Sequence, residues 1–150
     1  MKKFFITFLL FAGMAGNMIF AAGGSPKAEE TLKKEFSGAS AVKWEYLKKA
    51  SIYHACFIYH DEFMHAFFSD DGELIATGRF IPVSNLPFLA SREISSKYPG
   101  YQINDVTEYT REGETGYLVN MENEKSKLAV QVYPNGASFV FKKEKKNLSK

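Results

Sequence analysis

The stretch from Phe63 to Phe80, FMHAFFSDDGELIATGRF, constrains the fold of this chain more than any other part of the sequence. It is rich in aromatic and β-branched residues on either side of a Ser-Asp-Asp-Gly turn, and such runs are typical of strands. The turn glycine can adopt the positive φ that a tight hairpin requires. The stretch therefore predicts two antiparallel strands joined by a tight turn.

The same pattern returns in the second half of the chain. Residues Lys127 to Phe141, KLAVQVYPNGASFVF, again place a strand, an Asn-Gly turn and an apolar strand in that order. The turn glycines Gly72 and Gly136 are 64 positions apart. This recurrence predicts that one supersecondary unit is used twice. A chance match of alternating strands is the alternative interpretation.

Two helix signals also recur along the chain. A proline in the first turn marks the start of each predicted helix, at Ser25-Pro26 and at Leu86-Pro87. Apolar residues then follow at four-residue spacing, which is typical of a helix with one buried stripe. The stripes are Ala28, Leu32 and Phe36 in the first helix, and Ala90, Ile94 and Tyr98 in the second.

These signals together predict an α+β fold. It would be a tandem repeat of a helix plus a four-stranded antiparallel sheet (α-β4-α-β4), with the helices packed on one sheet face. The two repeats would span about residues 25–82 and 86–142 of a domain covering 24–150. A hydrophobic content of 45%, with 15% aromatic residues, is sufficient for a folded core.

The first 23 residues have the pattern of a signal peptide. Lys2 and Lys3 precede the apolar run FFITFLLFAGMAG, and small residues follow at Ala21-Ala22-Gly23-Gly24. A membrane anchor is the alternative, but Gly13, Gly16 and Asn17 interrupt a run that is shorter than the ~20 residues of a spanning helix. We expect export to the periplasm or the medium, with no membrane span after cleavage.

Charge and cysteine content narrow the classes of partner. The chain has 19 Lys and Arg against 17 Asp and Glu, so removal of Lys2 and Lys3 leaves 17 of each sign. A near-neutral chain has no strong field for nucleic acid. Cys56 is the single cysteine, which excludes an intrachain disulfide, and it lies far from the cleavage zone where a lipid would be attached.

Strand alternation assigns residues to the two faces of the sheet. In the second repeat Tyr117, Val119 and Met121 form the apolar set that must face the helices. Carried back by 64 positions, this assignment puts Tyr53, Ala55, Phe57, Met64, Ala66 and Phe68 on the covered face. A two-residue turn at Asp61-Glu62 would pair Phe57 with Ala66.

The other face of the first repeat is unusually apolar. Exposed phenylalanines there would form a patch of a few hundred Å², and monomers of this size rarely expose such a patch without a reason. We predict that this face binds a partner protein in the cell envelope or a second copy of the chain. The alternative is that the 82–86 linker or the C-terminal tail covers it. The predicted partner-binding residues are Ile58, Phe63, His65 and Phe67.

The same face carries candidate metal ligands, namely His54, Cys56, His60 and His65. Imidazole and thiolate are ligands that zinc and copper accept, but the spacing does not specify a site and no acidic residue is evident behind the ligands. No cofactor is therefore expected. Turn chemistry explains the carboxylates of Asp70, Asp71 and Glu73. No serine, histidine and acid combination indicates catalysis, and a non-enzymatic protein is expected.

Four segments resemble a known family. VKWEYLKKA, AFFSDDGELIATGRFI, KYPGYQI and VTEYTREGETGYLV are similar to the PepSY-like exported proteins of Bacteroidetes-type bacteria, whose fold is akin to the β-lactamase inhibitory protein. The resemblance implies tandem helix-plus-four-strand units and a role in binding or restraining envelope peptidases. The paired disulfides of the inhibitor cannot form with Cys56 alone.

The predicted function is therefore an exported protein-binding module, a candidate inhibitor of a peptidase or another envelope protein, which acts through a sheet face. The alternative is an envelope protein that binds a metal or a small ligand with the His/Cys face. The sequence does not identify the partner.

Overall fold

The computed structural model describes residues 23–146, which form two helices and eight strands. The predicted signal peptide, residues 1–23, lies outside the described residues except for Gly23. The helices are α1 (Pro26–Glu35) and α2 (Phe88–Lys97), and a 3-10 turn, Val83–Asn85, precedes α2. The strands are β1 (Ser40–Leu47), β2 (Ile52–Tyr59), β3 (Glu62–Ser69), β4 (Leu74–Ile81), β5 (Gln102–Arg111), β6 (Glu114–Glu122), β7 (Ser126–Val132) and β8 (Ser138–Lys145).

All eight strands belong to one antiparallel sheet, in which each strand pairs with the next along the chain. The predicted fold class, an α+β tandem repeat of a helix plus a four-stranded sheet, is wrong. The fold is mostly β, with one continuous sheet and two helices of ten residues each. The pairing of β4 with β5, from Thr77–Thr110 to Ile81–Val106, joins the two halves.

The physical reason for this correction lies at the strand edges. A separate four-stranded sheet would leave the outer edge of β4 with unpaired N–H and C=O groups, and proteins usually cover or pair such edges. The edge of β5 satisfies these groups. Repeated turn glycines and helix stripes carry no information about which edges meet, so this pairing was not visible in the sequence.

The two helices form where the sequence signals predict them. Ser25 precedes α1 in an extended conformation, and its Oγ accepts a hydrogen bond from the backbone N–H of Ala28 at 3.2 Å. Ala28 and Leu32 of α1 are buried, as are Ala90 and Ile94 of α2. The predicted stripes are therefore confirmed, and they fix both helices to the sheet.

Both helices cover the same face of the sheet. Around α1 this face carries Trp44, Ala55, Phe57, Ala66 and Phe68, with Tyr53 and Met64 packed alongside. Around α2 it carries Val106, Tyr117, Val119, Met121, Leu128, Val130 and Val132. The assignment of Tyr53, Ala55, Phe57, Met64, Ala66 and Phe68 to the covered face is confirmed.

The predicted register of β2 with β3 is wrong. The turn residues are His60 and Asp61, both with positive φ (50° and 63°), and Phe57 pairs with Met64 rather than with Ala66. The turn begins one residue earlier than predicted, which moves the pairing by two residues. Because side chains alternate with a period of two, each residue keeps its face and only its partner changes.

Candidate functional site

We call the sheet face that neither α1 nor α2 covers the helix-free face. It carries a third core cluster made of Ile52, Phe67, Ala76, Tyr109 and Leu118. Here large side chains cover small ones: a Cβ at Gly78 would lie 2.5 Å from Cε1 of Tyr109, so the tyrosine ring lies directly over this glycine. Strand side chains therefore bury part of this face without a covering helix.

Three side chains of types that can ligate a metal meet on this face. Strand β2 supplies His54 and Cys56, and β3 supplies His65, which pairs directly with Cys56. The His54 Nε2 and His65 Nδ1 atoms are 3.0 Å apart, and the Cys56 Sγ atom lies 3.4 Å from the first and 3.5 Å from the second. We call these three residues the His-Cys cluster.

Aromatic rings hold both imidazoles of the His-Cys cluster. The His54 ring stacks on Phe67, with centroids 4.5 Å apart and planes at 5°. The His65 ring lies edge-on to Phe63 at 5.1 Å and to Phe80 at 5.7 Å. Both histidines are buried and Cys56 is half-buried. Packing therefore fixes the ring planes and positions their nitrogens.

A carboxylate lies behind the cluster on the adjacent strand. Glu45 of β1 pairs with His54, and its Oε2 atom is 3.6 Å from Nδ1 of that histidine. This contact favours the tautomer with its proton on Nδ1, which leaves a lone pair on Nε2 toward His65 and Cys56. Sequence reasoning missed Glu45. The available signal was that Glu45 and Lys43 share the face of β1 opposite Trp44. This signal becomes informative only when the β1–β2 register is known.

Burial controls the protonation of the His-Cys cluster. Burial, and secondly the charge of His65, lowers the pKa of His54 to about 3, and burial lowers the pKa of His65 to about 4. Burial, and then the Glu45 charge, raises the pKa of Cys56 to about 11, although Lys43 acts in the opposite direction. At neutral pH the imidazoles and the thiol are uncharged, so Glu45 contacts a neutral ring and not a cation.

The fourth predicted metal ligand, His60, does not join the cluster. It occupies the β2–β3 turn with positive φ, and its ring stacks on Tyr59 at 4.0 Å. Tyr59 packs with the cluster around α1, on the covered side of the sheet. The alternation that placed His60 with the other three residues ends where strand β2 ends.

The four predicted partner-binding residues differ in exposure. Ile58 is 42% exposed and Phe63 is 46% exposed, whereas Phe67 is only 1% exposed and His65 is buried. Phe67 lies in the third core cluster with Tyr109 and Ala76. The cover thus comes from neighbouring strands of the same sheet, and among the described residues neither the 82–86 linker nor the tail from Lys142 to Lys146 belongs to that cluster.

Phe80 completes the exposed part of this face. It is 49% exposed, and its ring stacks with that of Phe63 at 6.0 Å between centroids. We call Ile58, Phe63 and Phe80 the exposed patch. Sequence reasoning missed Phe80 because an irregularity between Phe67 and Phe68 sets which side chains of β4 share a face.

A cavity of about 410 Å³ adjoins the exposed patch and reaches the His-Cys cluster. Its lining residues come from strands β3 to β8 and belong mostly to the helix-free face. They combine apolar and aromatic side chains with charged ones. The lining joins residues from both halves of the chain. They include His65 and Phe80 from the first half, and Tyr109, Phe141, Lys142 and Glu144 from the second.

Solved structures from Bacteroides share this fold. A BLIP-like protein from Bacteroides fragilis is 22% identical with a TM-score of 0.65, covering 83% of this chain and 88% of that one. A candidate periplasmic protein from Bacteroides eggerthii is 16% identical with a TM-score of 0.72, covering 82% and 89%. A DUF2874 family protein from Bacteroides uniformis is 16% identical with a TM-score of 0.71, covering 82% and 90%.

These comparisons define the fold of the chain as BLIP-like, of the kind found in Bacteroides proteins. At such identities the likeness establishes the fold alone. No family model matches the sequence, and no curated protein matches it. Within residues 23–146, neither helix has the length and apolar character that crossing a bilayer requires.

Proposed function

We propose that this chain is an exported, non-enzymatic protein-binding module of the PepSY-like type that acts through its helix-free face. Residues 1–23 would direct export and be removed, which leaves 24–150 as the mature domain in the periplasm or the medium. The partner would be another envelope protein, with a peptidase as the leading class.

The observation that carries this proposal is the exposed patch beside the cavity. Phe63 and Phe80 stack with about half of each side chain in solvent, and Ile58 extends the apolar surface along the neighbouring strand. Full burial of an exposed apolar side chain is worth about 1.5–3 kcal/mol, and these three side chains are a little under half exposed, so each would contribute roughly half of that amount to docking.

The charges in the cavity lining favour a protein partner over a small apolar ligand. Lys127, Lys142 and Glu144 line the cavity together with apolar side chains such as Leu118 and Phe141. Charges of both signs around an apolar centre are typical of the rim of a protein interface. The name of the Bacteroides fragilis BLIP-like protein and the periplasmic description of the Bacteroides eggerthii protein support the class and the compartment.

The proposal predicts that charge in the exposed patch abolishes binding without unfolding the chain. The double variant Phe63→Glu/Phe80→Glu places two carboxylates in the patch, where a docked partner would have to desolvate them. Partners captured by chemical crosslinking in intact envelopes of the host and recovered with the wild-type chain should be absent with the variant. The variant should still unfold cooperatively, with a melting temperature only modestly below that of the wild type, because about half of each side chain is already exposed and the other half packs on His65.

Phe88→Glu is the matched control, since Phe88 is 76% exposed and lies on α2, on the covered side of the sheet. It should capture the same partners as the wild type. Retention of the partners by the double variant would contradict the proposal, and so would their loss with Phe88→Glu. Self-association that only the double variant abolishes would identify a second copy of the chain as the occupant of the patch.

A further inference from the structure

We propose that the His-Cys cluster is a binding site for one Zn²⁺ or Cu⁺ ion, with His54 Nε2, His65 Nδ1 and Cys56 Sγ as its three protein ligands. This inference is independent of protein binding at the exposed patch. It concerns the buried part of the helix-free face, beneath the phenylalanines of that patch.

The spacing of the three atoms carries the inference. Zinc bonds of about 2.0–2.1 Å to nitrogen and about 2.3 Å to sulfur place tetrahedral ligand atoms roughly 3.3 to 3.6 Å apart. The two nitrogens are 3.0 Å apart, and the sulfur lies 3.4 Å and 3.5 Å from them. Movements of a few tenths of an ångström, which side-chain rotation supplies, would convert this arrangement into a coordination triangle.

The chemistry of the ligands selects the class of ion. Imidazole nitrogen suits zinc and copper, and thiolate sulfur selects Zn²⁺ and Cu⁺ over the harder ions Mg²⁺ and Ca²⁺. Two nitrogens and one sulfur leave a fourth position for Zn²⁺, which a water molecule or a group on a bound partner can fill. Cu⁺ is satisfied by the three ligands.

The surroundings of the cluster support a built site. Glu45 lies 3.6 Å behind Nδ1 of His54, so a shift of about half an ångström would let this carboxylate accept the Nδ1 proton and orient the histidine as a ligand. With Zn²⁺, one thiolate and this carboxylate, the local charge sums to zero, which a buried ion requires. The rings of Phe67, Phe63 and Phe80 hold the two imidazoles in place, and the cavity that His65 lines provides a route for entry.

Binding can be written as a balanced step. The ion forms bonds to Nε2 of His54 and Nδ1 of His65, and any proton on Nδ1 moves to Nε2 of the same ring. The Cys56 S–H bond breaks, the sulfur keeps the electron pair for the metal, and the proton leaves to solvent. No electron is transferred, so the step needs no oxidant or reductant.

Titration of the purified protein with each ion tests the site. The protein must carry no histidine tag, and Cu⁺ is added under anaerobic reducing conditions against a competing chelator. We expect one ion per chain for at least one of the two metals. Co²⁺ in place of Zn²⁺ should give a thiolate-to-cobalt charge-transfer band in the near ultraviolet.

Three variants test the site: one removes a ligand, one removes the carboxylate behind a ligand, and one is a control. Cys56→Ser should weaken binding by more than tenfold and remove the charge-transfer band, and its melting temperature without metal shows that it is folded. Glu45→Gln keeps all three ligands and should weaken binding about tenfold, since loss of such an outer contact typically weakens affinity 10- to 100-fold. His60→Gln is the matched control because His60 lies outside the cluster, and it should bind as the wild type does.

Several results would overturn the site. One is that neither ion binds stoichiometrically. Another is that Cys56→Ser binds the ion with wild-type affinity. A third is that His60→Gln loses as much affinity as Cys56→Ser does. A stoichiometry of one ion per two chains would also overturn it, because the ion would then be shared between copies and not held by this cluster.

Discussion

At the scale of single residues, Gly78 controls how the helix-free face packs. A Cβ there would lie 2.5 Å from Cε1 of Tyr109, a separation that carbon atoms do not tolerate. Tyr109 is buried in the third core cluster. We therefore expect Gly78→Ala to reduce the free energy of unfolding by about 1–3 kcal/mol, the usual effect of overpacking.

Urea unfolding measures this effect, and Gly116→Ala is its matched control. A Cβ at Gly116 would have its nearest neighbour, Cε1 of Tyr133, at 3.5 Å, an ordinary contact. The control should change stability by less than about 0.5 kcal/mol. Equal stability of the two variants would mean that Tyr109 does not lie over Gly78.

The buried histidines make stability depend on pH. The pKa values of His54 and His65 are about 3 and about 4 in the folded chain, against an ordinary value of 6.5. Above pH 6.5 both states leave the rings neutral. As the pH falls below 6.5 only the unfolded chain takes up protons, so the metal-free protein should lose on the order of 2 kcal/mol per histidine by pH 5.

Unfolding at several pH values in the presence of a chelator checks this dependence. The slope of unfolding free energy against pH reports the protons bound on unfolding, and His65→Gln should lower that number by about one near pH 5. An unchanged slope would show that His65 already titrates normally in the folded chain.

The sequence specified some of these residues and not others. Alternation along β2 correctly placed His54 and Cys56 on one face. A shift of two residues in register changes the partners of a residue but not the face on which its side chain lies. It wrongly added His60, since alternation ends at a turn. Glu45 was missed because its position behind His54 depends on the pairing of β1 with β2, which the sequence does not determine.

At the scale of elements, the turn between β2 and β3 adopts a conformation that favours glycine. His60 and Asp61 both have positive φ, and the equivalent turn between β5 and β6 uses Glu112 and Gly113 in the same way. Left-handed backbone costs a residue with a Cβ about 1–2 kcal/mol, although aspartate tolerates it better than most.

We expect Asp61→Gly to be more stable than Asp61→Ala by about 1 kcal/mol, because glycine adopts this φ without steric conflict. Thermal and urea unfolding of the two variants give the comparison. Greater stability of the alanine variant would contradict the positive φ at Asp61.

Helices were easier to predict than strand pairing for a physical reason. Capping and four-residue spacing are local, so Ser25 and the stripes Ala28-Leu32 and Ala90-Ile94 specified both helices. Strand register depends on turn residues, where a change of one position moves every pair. The irregularity between Phe67 and Phe68 likewise decided the face of Phe80, although the residues around Phe80 give no indication of it.

At the scale of the whole molecule, the pairing of β4 with β5 makes one face continuous. It brings His65 and Phe80 from the first half of the chain into the same cavity wall as Phe141 and Lys142 from the second. Strand alternation assigns faces within each half of the chain separately. It does not predict a cavity that exists only because the two halves share a sheet.

The proposed function requires a partner to contact the helix-free face. Photo-crosslinking in intact envelopes tests this most directly, with a photoreactive residue placed in turn at positions 63 and 80 and at the exposed helix-side positions 33 and 88. We predict a discrete crosslinked product from positions 63 and 80 and none from 33 or 88. Products from the helix-side positions alone would contradict the account.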